Sequence, residues 1–190
     1  MPMTEPPLPM RPLRLEVIVG SVRAERFAPV IVDWFVERAR AREEFDTAIL
    51  DLVDAALPQD LSTTPEVDAF TERIGCADAF VVVTSEYNHG YPAALKTALD
   101  TVKHGWRAKP IGFVAYGGMS GGLRAVEQLR QVVAELHMVS VREAVSFHQA
   151  RKHFDPADGA ANDAAQRMMT QLVWWAEALR IRRDHAPYPG

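Results

Sequence analysis

The run Ala79-Phe-Val-Val-Val83 constrains this chain more than any other stretch. It is too short for a buried helix and does not alternate, so it reads as a strand covered on both faces. Such strands belong to parallel sheets, whose neighbouring strands must be joined by crossover connections, usually helices. The chain repeats that order. Leu13–Val19, Phe45–Leu50, Ala79–Val83, Pro110–Ala115 and a segment from Met138 reaching Phe147 read as five strands. Helical spacing starts near Phe27 or Pro29 and recurs over Glu66–Gly75, Tyr91–Val102, Leu123–Glu135 and Asn162–Arg180. The alternation predicts an α/β domain with right-handed crossovers.

In open α/β sheets, ligands bind beyond the carboxyl ends of the strands. Three loops there carry unusual chemistry. After the first strand comes Gly20-Ser-Val-Arg-Ala-Glu-Arg26, which leads into a helix. Ser21 offers a hydroxyl, and Arg23 and Arg26 bring guanidinium groups to a helix N-terminus that already carries partial positive charge. This reads as a phosphate site, more firmly for Arg23 than for Arg26. Neither a Walker lysine nor a G-x-G-x-x-G follows, so a nucleoside triphosphate and a classical dinucleotide are disfavoured. After the Ala79–Val83 strand, Thr84-Ser-Glu-Tyr-Asn-His-Gly90 precedes a helix opening at Pro92. After the fourth strand, Tyr116-Gly-Gly-Met-Ser-Gly-Gly122 packs glycines that let the backbone approach a flat group closely. One phosphate cradle beside two aromatic, amide and glycine loops suits a mononucleotide with a large planar head.

The ordered motifs Gly20-Ser21-x-Arg23-x-x-Arg26, Glu86-Tyr87-Asn88 with Pro92-Ala-Ala-Leu-Lys96 and Ala98-Leu-Asp100, then Tyr116-Gly-Gly, resemble the NADPH-dependent FMN reductase family. The resemblance runs over roughly Leu13 to Val145. It departs at Ser85, where relatives usually carry proline, and at Arg26-Phe27, where many have small polar residues. It implies a flavodoxin-like three-layer sandwich with a five-stranded parallel sheet in the order 2-1-3-4-5. It further implies FMN as cofactor and NADPH or NADH as reductant. The acceptor is expected to be a small quinone, azo compound, free flavin or metal oxyanion. The FMN contacts it implies are Ser21, Arg23, Arg26, Phe27, Ser85, Glu86, Tyr87, Asn88, Tyr116, Gly117 and Gly118, with backbone donors of Ser85–Asn88 facing the flavin. It implies a homodimer or homotetramer with the flavin near a subunit interface. A non-enzymatic electron carrier resembling flavodoxin is the alternative, although such carriers are usually more acidic than the net charge of −4 here.

That charge leaves no electrostatic footprint for nucleic acid or an anionic membrane. No apolar run approaches the roughly 20 residues a spanning helix needs. Residues 1–12, rich in proline, read as a flexible leader, 13–182 as one domain, and 183–190 as a loose tail. Ala150–Ala161 is polar and reads as flexible. The lone Cys76 reads as a buried inert thiol, and a single cysteine agrees with the cytoplasm. No metal motif is present in the sequence. No nucleophile–base set is present either, as expected where a cofactor carries the chemistry. His89 reads as a loop or interface residue. Trp106 is expected to line the flavin mouth or a subunit contact. Of the adjacent Trp174 and Trp175, one is expected to face the core and the other a partner.

Overall fold

A computed structural model describes residues 11–190. Five parallel strands form one sheet in the order β2-β1-β3-β4-β5, as the resemblance implies. They are β1 (Leu13–Val19), β2 (Phe45–Asp51), β3 (Ala79–Ser85), β4 (Pro110–Gly117) and β5 (Val139–His148). The helices are α1 (Ala28–Arg40), α2 (Leu52–Ala55), α3 (Pro65–Cys76), α4 (Ala93–Thr101), α5 (Leu123–Glu135), α6 (Ala150–His153) and α7 (Gly159–His185). All seven residues of β3 are buried, because β1 and β4 flank it and helices cover both faces. One core layer joins the sheet to α1 and α7 through Ile31, Phe35, Met168 and Leu172. The other joins it to α3, α4 and α5 through Phe70, Leu95, Leu99 and Leu129.

Strand ends extend further than the sequence pattern implies. Thr84, Ser85, Tyr116 and Gly117 belong to strands, since parallel partners satisfy their backbones: Ser85 lies opposite Tyr116 in the β3–β4 register. The site therefore stands partly on rigid sheet. Pro92 is the N-cap of α4, just outside its first turn, and its ψ of 141° is extended.

Several expectations need correction. Cys76 is exposed, because α3 ends on it and the chain turns inward only from Ala77 onward. Trp106 is fully buried against Phe80, with ring centroids 4.9 Å apart, and its Nε1 donates to the Leu99 carbonyl at 3.2 Å. It is a core residue and reaches neither the mouth of a site nor a neighbour's surface. Neither Trp174 nor Trp175 enters the core. The two rings pack edge to face, 4.8 Å apart, on the outer side of α7. The segment Ala150–Ala161 contains α6 and the start of α7, which Asp158 caps by accepting from the Ala160 and Ala161 N–H groups. The last helix runs on to His185, and Arg183 donates to Asp78 and to the Ala108 carbonyl, so the expected loose tail begins too early. Of the expected leader, residues 1–10 lie outside the described residues. Arg11 is held by Asp78 through bonds of 2.7 and 3.3 Å.

Candidate functional site

The loops after β1, β3, β4 and β5 all open at the carboxyl edge of the sheet and enclose a cavity of about 420 Å³. Arg23, Arg26, Phe27, Ser85, Glu86, Tyr87, Tyr116, Gly117 and Gly118 line it. The structure thus brings these residues, chosen from separate motifs, around one space. Ser21 and Asn88 are not among the lining residues. Ser21 is fully buried, and its Oγ lies 2.8 Å from the Tyr87 hydroxyl, tying the first loop to the loop after β3. Asn88 and His89 form the tip of a tight hairpin, closed by Tyr87 N–H to the Gly90 carbonyl at 2.9 Å and Gly90 N–H to the Tyr87 carbonyl at 3.0 Å. Both tip residues have positive φ, 49° and 78°, as a two-residue turn of that hand requires.

The hairpin alters the expected donor set. The Glu86 N–H donates to the Tyr116 carbonyl at 3.1 Å, and the Tyr87 N–H is used in the turn, so neither faces the cavity as a free donor. The Glu86 side chain also turns away. Its Oε2 accepts from the Arg124 backbone N–H at 3.2 Å, and its Oε1 lies 2.9 Å from Arg124 Nε, an ion pair not aligned as a hydrogen bond. Gly122, the N-cap of α5, has no side chain to offer, so Glu86 supplies the anion for that helix N-terminus from another loop. Burial pushes the Glu86 carboxyl up. The Ser120 hydroxyl, the Arg124 charge and two α5 backbone N–H groups outweigh it, and the pKa falls below the usual carboxylate range. Gly122 itself has φ of +89°, and a Cβ there would stand 2.7 Å from that of Ala115, so this turn admits only glycine.

The two phosphate-loop arginines differ. Arg26 is clamped by Asp51 through bonds of 2.7 and 2.5 Å and donates to the Ser21 carbonyl at 2.6 Å. Its hydrogen bonds and proximity to Asp51 raise its pKa, and its charge is locally neutralised. Arg26 therefore braces the loop. Arg23 is exposed on the cavity rim and, among the described residues, forms no ion pair. The nearby N-terminus of α1 has no side-chain cap and no acidic residue in its first turn, so its backbone donors, of which Pro29 supplies none, are available to an anion.

The cavity's inner wall carries polar groups without well-aligned partners. Ser85 is 4% exposed and Tyr116 6%; the Tyr116 hydroxyl lies near those of Ser85 and Ser21, but neither it nor the Ser85 hydroxyl makes a well-aligned hydrogen bond. Burial raises the Tyr116 phenol pKa, keeping it protonated at neutral pH and able to donate. Phe27 packs edge to face on Tyr116, with centroids 6.3 Å apart, giving an apolar flank. A cationic α1 terminus, an aromatic flank, glycine backbone at Gly117–Gly118 and incomplete hydroxyls fit a phosphorylated planar group such as FMN.

Sequence reasoning missed the fourth wall. Gln149, Ala150, Arg151 and Lys152, just past β5, also line the cavity. The Gln149 N–H donates to the Gly118 carbonyl at 2.9 Å, joining this wall to the glycine loop. Applying the carboxyl-edge rule to β5 as well would have flagged them. Among the described residues, no group of His, Cys, Asp or Glu is placed to hold a metal ion, and no helix is long and apolar enough to cross a membrane.

The same segments carry the chain's likeness to known proteins. The family model of NADPH-dependent FMN reductase matches residues 13–152. The chain is 39% identical over 136 residues to an NAD(P)H-dependent FMN reductase of Schizosaccharomyces pombe, covering 66% of this chain and 68% of that one. It is 36% identical over 189 residues to a probable NADPH:quinone oxidoreductase of Oryza sativa, covering 90% and 93%. An oxidoreductase from Corynebacterium diphtheriae of known structure superposes with a TM-score of 0.72 at 17% identity, over 89% of this chain and 99% of that one, and so shares its fold. By this match over most of its length, and by the motifs that build the cavity, the chain belongs to the NADPH-dependent FMN reductase family.

Proposed function

We propose that this protein is an FMN-dependent NAD(P)H oxidoreductase acting on small acceptors of the quinone type. The observation that carries this reading is the cavity at the carboxyl edge of the sheet, with an uncapped helix N-terminus at one side and the buried Ser85 and Tyr116 hydroxyls, neither in a well-aligned hydrogen bond, within. When bound, FMN supplies the redox chemistry, accepting a hydride from the nicotinamide and passing electrons to the acceptor. The chain's residues bind and orient. Arg23 and the α1 N–H groups hold the phosphate, while Arg26, locked to Asp51, keeps the loop in the shape that presents them. Phe27 and the Tyr116–Gly118 backbone flank the ring system. The Tyr116 phenol, kept protonated by burial, and the Ser85 hydroxyl donate to its polar edge, where negative charge grows on reduction. Ser21 and Asn88 act indirectly, through Tyr87 and the hairpin turn.

Membership of a reductase family and likeness to quinone reductases favour an enzyme over an electron carrier. A homo-oligomer is part of the proposal, supported by the exposed tryptophan pair on α7. So is a cytoplasmic setting, supported by an exposed cysteine in a chain that has no second one to pair with. We also retain a single domain beginning at residue 13, its end moved from 182 to the close of α7 at His185. Purified FMN-loaded protein should lose its flavin colour when NADPH or NADH is added without oxygen, and a quinone should restore it. Flavin that stays oxidised under excess of both reductants would rule out the enzyme.

A further inference from the structure

The cavity carries more positive charge than one phosphate monoester requires. Arg23, Arg26, Arg151 and Lys152 all line it, and only Arg26 has a carboxylate partner, Asp51. Glu86, the acidic residue of the lining, is occupied by Arg124. Among the described residues Arg23, Arg151 and Lys152 form no ion pair. A cofactor phosphate at the α1 N-terminus takes Arg23 and the backbone donors there. Arg151 and Lys152 remain, on the wall contributed by the segment after β5.

That wall is built in place. Arg151 donates to the Glu25 carbonyl, and its guanidinium lies 5.9 Å from the centre of the Phe27 ring. The backbone of the same segment is bonded to Gly118 through Gln149, whose φ of 45° turns the chain into α6. Lys152 is exposed and free to swing toward a ligand at the cavity mouth. Both cations are exposed and have no carboxylate partner, so together they set up a positive potential at the mouth that attracts an anionic visitor. Of the two substrates in the proposed reaction, the reductant is the one that carries phosphate remote from its reacting ring.

We propose that Arg151 and Lys152 recognise the 2′-phosphate of NADPH and so make this enzyme prefer NADPH to NADH. This rests on the oxidoreductase reading for its biological meaning, but the site is tested by binding alone. Adenosine 2′,5′-bisphosphate and 5′-AMP, titrated into the FMN-loaded protein by calorimetry, differ by that phosphate. The wild type should bind the bisphosphate at least about tenfold more tightly, the size expected for a charge-assisted contact. Lys152→Gln and the double variant with Arg151→Gln should erase most of that ratio, and Lys152→Arg should restore it. In turnover, the variants should raise the KM for NADPH more than that for NADH.

Equal binding of the two nucleotides by the wild type overturns the proposal. So does a variant that loses FMN in step with the bisphosphate, since the two cations would then serve the cofactor phosphate. A ratio that survives both substitutions overturns it as well. Preference for the bisphosphate without any NADPH oxidation leaves the anion site standing and refutes the oxidoreductase reading instead.

Discussion

Arg23 and Arg26 stand three positions apart in one loop, yet their surroundings give them different work. A guanidinium already paired with a carboxylate has little left to offer a phosphate, whereas an unpaired one on the rim has all its donors. Arg23→Ala is accordingly expected to weaken FMN binding by about ten- to a hundredfold, the worth of a charge-assisted hydrogen bond of roughly 1.5–3 kcal/mol. Its exposure and the backbone donors of α1 put the effect toward the lower end. Riboflavin, which lacks the phosphate, should bind almost as before. Equal losses for the two flavins, measured by fluorescence quenching, would remove Arg23 from the phosphate site. The motif spacing already singled out both arginines. The partner that separates them, Asp51, ends a different strand and is invisible to any local pattern.

At the scale of elements, the site is a set of loops bolted to one another. Ser21 holds Tyr87, Glu86 holds the start of α5, and Gln149 holds Gly118. Glu86 is the tie with a titration. Its folded pKa lies below the unfolded value of about 4.3, so it contributes stability at pH values above that range. The contribution is lost as pH falls through the folded pKa. Glu86→Gln should therefore destabilise at pH 7 by about 1–2 kcal/mol, as expected for losing a charged cap and a partly buried ion pair. The deficit relative to wild type should shrink as pH falls below the unfolded value and through the lower folded pKa, where the wild-type carboxyl also becomes protonated. Urea unfolding of both proteins at several pH values measures this, and a deficit independent of pH would deny Glu86 its ionised role. The glycine loop and its helix were legible in sequence because glycine spacing and helical periodicity are local. The two-residue hairpin at Asn88-His89 was not, since an asparagine read as a flavin contact beside a histidine read as a loop or interface residue looks the same when the pair forms a turn.

For the whole molecule, the open question is what covers the outer face of α7. Trp174 is 64% exposed and packs on Trp175, with Ile181 also exposed two turns on. Aromatic residues are enriched in subunit contacts, and two-fold symmetry lets one helix face serve both partners. Trp174→Glu is expected to lower the mass in light scattering toward the 21.1 kDa of a single chain, with the fold intact by circular dichroism. A wild-type protein already at 21.1 kDa would refute the assembly. Trp106 takes no part in such a test, because a charge placed at that fully buried position would unfold the core.

The chain's own sequence determined the parallel sheet, the order of its elements and the three motif loops, since apolar runs, helical periodicity and glycine placement act over neighbouring residues. Tertiary structure alone decided which polar groups remain free for a ligand. Asp51 neutralises Arg26, Glu86 turns to α5, Trp106 sinks between α3 and β3, and Arg151 and Lys152 arrive from beyond β5 to close the cavity. Each of these outcomes depends on a partner distant in sequence, brought close only when the five strand ends align.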